Sequence, residues 1–269
     1  MLQGHLKLVC AADPDGRSYL RSQSFRAPMH LSKPHLDEGI LIVNAVNPTA
    51  GLFAGDRIDF DVSVEPGARM LLTAPSASRA HRTVGAGATV EQRFQVARGA
   101  WLEVWPELFI PQAGCRYRQR TEARVEGGGE MMLIEMIAPG RAASGELFAF
   151  SELDWESALY LAGDLIARER YALTPVSPAL DAIRTRFPEA YYASALVVSE
   201  MLGDAEPCWQ RIHDLHDDTA WIGCSPLRRG GAAIRVLASG SIALRKKVAE
   251  IRLAIYEALG MRAPNLRRG

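Results

Sequence analysis

The sequence predicts a mainly β fold: a β-helix-like stack of repeated hairpins, followed by a smaller C-terminal α/β portion. Three observations carry this reading. A short motif recurs, most clearly as Val64-Glu65-Pro66-Gly67-Ala68-Arg69-Met70-Leu71-Leu72-Thr73, again at Val96 to Trp105 and Val125 to Ile134, and more faintly at Leu36 to Val43. With Gly39, Gly67, Gly99 and Gly128 as markers, the spacings are 28, 32 and 29 residues. Each copy reads as strand, tight turn at a glycine, strand, because such a turn needs a positive φ that a side chain resists. A period in this range predicts one supersecondary unit stacked on the next. The second observation is period-two alternation, as in Ile58, Phe60, Val62 and Val64 set against Asp59, Asp61, Ser63 and Glu65. The third is a change of character after about residue 175, where helical spacing first becomes clear. Residues 1–175 are therefore read as the β-stack body and 176–269 as an α/β portion packed on it.

The elements follow in order. Gln3 to Cys10 and Tyr19 to Phe25 form a hairpin across the turn signal Asp13-Pro14-Asp15-Gly16. Gly39 to Val46 is a nearly continuous apolar run, which suits a strand buried on both faces. The stretch Asn47 to Arg57 holds one proline and two glycines and predicts an ordered loop. Val90 to Val96, Trp101 to Trp105, Arg116 to Val125 and Met131 to Ile137 are strands. Thr73 to Arg82 and Pro106 to Gly114 are the loops between them. Phe148, Phe150, Leu153 and Trp155 continue as strand material, and Leu159 to Tyr171 is compatible with strand or helix. Thr174 to Pro178 reads as a junction and Tyr191 to Val198 as an apolar segment. A short helix over Glu206 to Asp214 follows a capping Asp204, with Pro207 in its first turn. Ala232 to Ala238 is a strand. Ser241 to Leu259 is an amphipathic helix with Ile242, Val248, Ile251, Leu253, Ile255 and Leu259 on its apolar side and Lys, Arg and Glu on the other.

Composition narrows the function classes. Lys plus Arg and Asp plus Glu balance at 31 each among 269 residues, which gives no electrostatic footprint for nucleic acid or a membrane surface. No apolar stretch reaches the roughly 20 residues that span a bilayer. Cys10, Cys115, Cys208 and Cys224 show no zinc-type spacing. The expectation is a cytoplasmic protein with reduced thiols. The sequence carries neither a P-loop nor a Gly-x-Ser-x-Gly elbow, which weighs against an ordinary transferase or hydrolase.

The candidate functional residues are mainly acids. Asp56 follows two loop glycines, Glu135 interrupts the apolar run Leu133 to Ile137, and Glu169 lies between Arg168 and Arg170. A carboxylate on an apolar strand is costly to bury unless it is paired or wet. For Glu135 two readings stand side by side. One is a polar internal cavity or path with Arg141 or Arg79 as partner, the other a buried Glu–Arg bridge that fixes the stack. His213 and His216 form the densest set of potential metal ligands and would be neighbours on a helix. Their alternative is a polar helix end.

Taken in order from about residue 25 to 150, several stretches resemble the UreD (UreH) family of urease accessory proteins. They are Asn47 to Arg57, Pro66 to Thr73, Ser76-Ala77-Ser78-Arg79, Gly99 to Glu103, Pro106 to Gly114, Tyr117-Arg118-Gln119, and Pro139-Gly140-Arg141 with Gly145-Glu146. The C-terminal third matches only in outline, and Ala54 stands where the family commonly has a glycine. The resemblance implies a non-enzymatic nickel-insertion scaffold with a β-helix-like body. It implies partners too: apo-urease, a UreF-like helical protein and, through it, a UreG-like GTPase. It implies no tightly bound cofactor, only nickel in transit. It associates Asp56, Ser78, Glu135 and Glu169 with the internal route, with Arg79 beside Ser78, and Arg141 and Glu146 with holding the stack. Two other functions compete with it. One is a β-solenoid-like hydrolase using Asp56 and Glu135, which needs its carboxylates about 5–10 Å apart in an open cleft. The other is a nickel-storage module at His213 and His216.

Overall fold

A computed structural model describes residues 1–203 and 205–266. The capping role read for Asp204 lies outside the described residues. In chain order the strands of the body are β1 (Gln3–Ala12), β2 (Ser18–Arg26), β3 (His30–Leu31), β4 (His35–Asp37), β5 (Ile40–Val46), β6 (Arg57–Val64), β7 (Arg69–Thr73), β8 (Ser78–Ala80) and β9 (Ala88–Val96). These are followed by β10 (Trp101–Trp105), β11 (Phe109–Pro111), β12 (Arg116–Val125), β13 (Glu130–Ile137), β14 (Glu152–Leu161) and β15 (Asp164–Leu173). Then come helix α1 (Pro178–Arg186), β16 (Tyr191–Val198), α2 (Glu206–His213), β17 (Ala220–Pro226), β18 (Ala232–Ala238) and α3 (Ser241–Ala258). Leu159 to Tyr171 thus resolves into two antiparallel strands, while α1 and β17 had no clear signal in the sequence.

The repeat builds a solenoid. The strands entering the Gly67, Gly99 and Gly128 corners (β6, β9 and β12) lie in parallel in a seven-stranded sheet ordered β15-β14-β12-β9-β6-β1-β2. The strands leaving those corners (β7, β10 and β13) lie in parallel in an eleven-stranded sheet ordered β17-β18-β16-β13-β10-β7-β5-β3, with β4, β8 and β11 off that path. The strands flanking a corner therefore do not pair with each other, which corrects the hairpin pairing expected of each copy. Their N–H and C=O groups are committed to the next turn of the stack: Ala97 N donates to Val64 O and Glu126 N to Val96 O, both at 2.9 Å. Only the faintest copy, at Gly39, is a true hairpin, between β4 and β5. The corner glycines have φ of 75°, 69° and 79°, the left-handed conformation the repeat requires.

Burial follows from this layering. One core fills the space between the sheets, with Leu8, Val62, Phe94, Leu102, Met131 and Leu159 among its members. A second lies between the eleven-stranded sheet and helices α2 and α3. Strands β10 and β13, covered on both faces, are buried almost throughout, Glu103 and Glu135 included, while β12 alternates because the outer face of its sheet is solvated. Helix α3 buries Leu244, Val248, Ile251 and Ile255. Ile242 and Leu253, expected on its apolar side, point outward at 84 % and 54 % exposure. Lys247 and Arg252, expected outside, are buried. Both are held by carboxylates, Lys247 Nζ by Asp217 at 2.6 Å and Arg252 Nε by Glu103 at 2.5 Å. No helix among the described residues is long and apolar enough to cross a membrane.

Candidate functional site

Parallel stacking brings equivalent positions of successive turns side by side, so a polar residue repeated at one inward position makes a polar row. Such a row crosses the inner core. In the seven-stranded sheet Gln92, Thr121, Ser157 and Glu169 are successive register partners on β9, β12, β14 and β15. In the facing sheet Glu135, Ser194, Arg235 and Gly223 are successive partners on β13, β16, β18 and β17. The two rows contact each other across the stack.

Glu135 is the centre of the assembly, 4 % exposed. Ser157 Oγ lies 2.9 Å from each of its carboxylate oxygens, and Gln119 Nε2 and Thr121 Oγ1 reach Oε1 at 3.1 and 3.3 Å. Gln119 is oriented in turn by Tyr117, whose hydroxyl donates to its amide oxygen at 2.7 Å. Burial pushes the Glu135 carboxyl up to about 7 from an ordinary 4.5, against the opposing pull of Trp155, Ser157 and Thr121, and the nearby Glu169 charge adds to the rise. Among the described residues no arginine joins it. Arg141, offered by the sequence as a partner, grips Glu146 with its Nε and Nη2 instead. The indole N–H of Trp155 and the hydroxyl of Tyr171 are buried without hydrogen-bond partners among the described residues. Both lie close enough to Glu135 to interact with its charge.

Glu169 ends the row. It accepts from Tyr192 Oη and Ser194 Oγ, both at 2.5 Å, and Arg235 Nε lies 2.5 Å from its Oε1. On the other side of Glu135 a cavity of about 300 Å³ opens toward the loops that join the sheets. Its inner wall includes Gln92, Gln119, Trp155 and Glu135, and its mouth includes Thr49, Ser76, Ser78 and Arg79. Polar groups thus line a course from the loop mouth through Glu135 to Glu169 and Arg235. His216, Tyr192 and Trp221 flank the shallow depression at that far end.

The structure brings Glu135, Glu169, Ser78 and Arg79 onto one course and leaves Asp56 off it. The Asp56 carboxylate accepts from Leu2 N at 2.7 Å and Phe53 N at 3.0 Å, which ties the first strand to the Asn47–Arg57 loop. Asp56 does not line the cavity that holds Glu135, so the two acids do not share a cleft. His213 and His216 lie with ring centroids 6.5 Å apart and perpendicular. His216 Nδ1 accepts from Ile222 N at 3.4 Å, and the ring stacks on Trp221. Among the described residues no group of three or more His, Cys, Asp or Glu is placed to hold a metal ion. Arg141 and Glu146 close the Pro139–Glu146 loop, and Glu146 also accepts from Ala113 N at 3.1 Å. Sequence reasoning missed Gln92, Thr121, Ser157, Ser194 and Arg235. A signal for the first two existed: each is a polar residue on an inward parity, seven residues before its corner glycine.

The sequence also matches known proteins. The profile of the family described as "UreD urease accessory protein" matches residues 2–269. A protein of Opitutus terrae named urease accessory protein UreD is 40 % identical over 259 residues, covering 95 % of this chain and 94 % of its own. Proteins of the same name from Acetivibrio thermocellus and Mycolicibacterium gilvum are 28 % and 29 % identical. They cover 90 % and 98 % of this chain and 93 % and 90 % of their own lengths. With the solenoid, its loop motifs and a match that runs from the first strand to the last residue, the chain belongs to the UreD family of urease accessory proteins.

Proposed function

We propose that this chain is a non-catalytic urease maturation factor. In this reading it works in the cytoplasm, binds apo-urease and a UreF/UreG-type complex, and conducts nickel along the polar row to the urease active site. Family membership supports the role in urease maturation. The observation that carries the finer reading is Glu135, a carboxylate buried in the core and held, among the described residues, by neutral donors. A structural ion pair would have placed an arginine there, and a binding site for a resident ion would have converged more charge on it. A conduit needs neither. Its donors are oxygens in sequence, from Ser78 at the mouth through Glu135 to Glu169. Oxygen donors hold a borderline divalent cation less tightly than imidazole or thiolate, so each station can pass it on. The cation's charge in turn offsets the cost of an ionised carboxylate in the core.

The test is co-expression of the tagged chain with urease subunits and UreF- and UreG-like proteins. The expected outcome is recovery of a complex, with nickel-dependent urease activation lost for Glu135→Gln although the complex still assembles. Full activation by a Glu135→Gln complex would sink the route. Failure to retain any urease component would sink the assembly.

A further inference from the structure

The far end of the row already holds a cation, and it belongs to the protein. Arg235 reaches in from β18, its Nε 2.5 Å from Glu169 Oε1 and its Nη1 donating to Ile234 O at 3.0 Å. Its side chain is one-third exposed, whereas that of Glu169 is 11 % exposed. The guanidinium is therefore the lid on a carboxylate that faces inward. Two hydroxyls, Tyr192 and Ser194, complete an oxygen set around the same carboxylate. Outside Arg235 the register partner on the edge strand is Gly223, where a Cβ would find nothing within 4 Å. The adjoining depression, lined by Tyr192, His216, Trp221 and Gly223, gives a long side chain room to turn outward.

We propose that Arg235 is a tethered placeholder cation, and that Glu169, Tyr192 and Ser194 form a divalent-cation site that opens only when Arg235 swings away from it. The proposal rests on the route described above and adds a gate to it. A divalent ion and a guanidinium cannot both sit on one carboxylate, because their repulsion is twice that of two unit charges at the same distance. The exchange conserves charge pairing: Glu169 passes from one cation to the other, and Arg235 moves to solvent. An empty route stays closed at this end, and a filled one is not short-circuited by an ion already seated there.

The experiment is a calorimetric titration of the purified full-length chain with nickel chloride alone. Arg235→Met is expected to bind nickel about tenfold more tightly than the unaltered chain. Adding Glu169→Gln to it should abolish the gain. Arg235→Lys, which keeps a charge in place, is expected to stay within about twofold of the unaltered chain. Arg235→Gln serves in place of Arg235→Met should the latter not fold. Equal binding by the uncharged variant and the unaltered chain would overturn the gate. So would a gain that survives Glu169→Gln, or a gain of the same size in Arg235→Lys, since loosened packing would then be the cause. A route disproved by urease activation and a gate disproved by this titration are separate results.

Discussion

Glu135 shows how one side chain couples the site to stability. Its folded-state value of about 7 lies above the ordinary 4.5, so between those limits the folded chain keeps a proton that the unfolded chain has lost. The stabilisation this gives is complete below pH 4.5 and is lost as the pH rises through about 7, by an amount of order 3 kcal/mol. Glu135→Gln removes the dependence, so the variant should gain on the unaltered chain as the pH rises from 5 to 8. Urea titrations at those two pH values measure it, and a constant gap would show that Glu135 does not titrate in this window. Gly140 is a second point where one atom matters. Its φ is +138°, and a Cβ would collide with the Glu146 carbonyl. Gly140→Ala should cost about 2 kcal/mol or more and lower the melting temperature, by opening the loop that Arg141 and Glu146 close. Of these two residues, the sequence exposed Glu135 as an acid in an apolar run. It could not say which neighbours would receive it, because they come from strands 14 to 22 residues away.

At the scale of elements, helix α3 is fastened to the middle of the stack by a buried ion pair. Arg252 Nη2 donates to Glu103 Oε2 at 2.9 Å, Tyr256 Oη donates to the same oxygen at 2.5 Å, and Trp101 Nε1 donates to Tyr256 Oη at 3.2 Å. Glu103→Gln leaves a buried guanidinium uncompensated and should cost about 3–5 kcal/mol. The double variant Glu103→Leu/Arg252→Met should recover much of that loss. Denaturation of both singles and the double gives the coupling, and additive effects would mean the pair is not a unit. The strands were legible because inward and outward faces alternate in the seven-stranded sheet and merge in the eleven-stranded one. Helix α3 was legible in extent, but its orientation was not. Its inward Arg252 answers to a strand about 150 residues earlier, and no local period records that partner.

In the whole molecule the C-terminal portion completes the sheet that the stack begins. β16 pairs with β13 over seven register positions, from Met131–Val198 to Ile137–Tyr192, and β18 and β17 follow it outward. A chain ending at Thr174 would leave β13 as an unpaired edge and uncover the apolar face that α2 and α3 protect. Such a truncation should be aggregated by size-exclusion chromatography, and a soluble monomer with native β content would contradict this. The stack as a whole was readable from the glycine repeat. The polar row was legible only at Gln92 and Thr121, which share one place in the repeat, and Ser157 joins them only once parallel register aligns it. The union of Glu103 with Arg252 also sets a schedule for synthesis. A solenoid could in principle grow turn by turn as it leaves the ribosome. Here the carboxylate in the third turn waits 149 residues for its counter-charge, about 7–30 s at ordinary translation rates. During that interval the outer face of the growing sheet is bare, so the nascent chain depends on reaching its last helix before it meets another copy of itself.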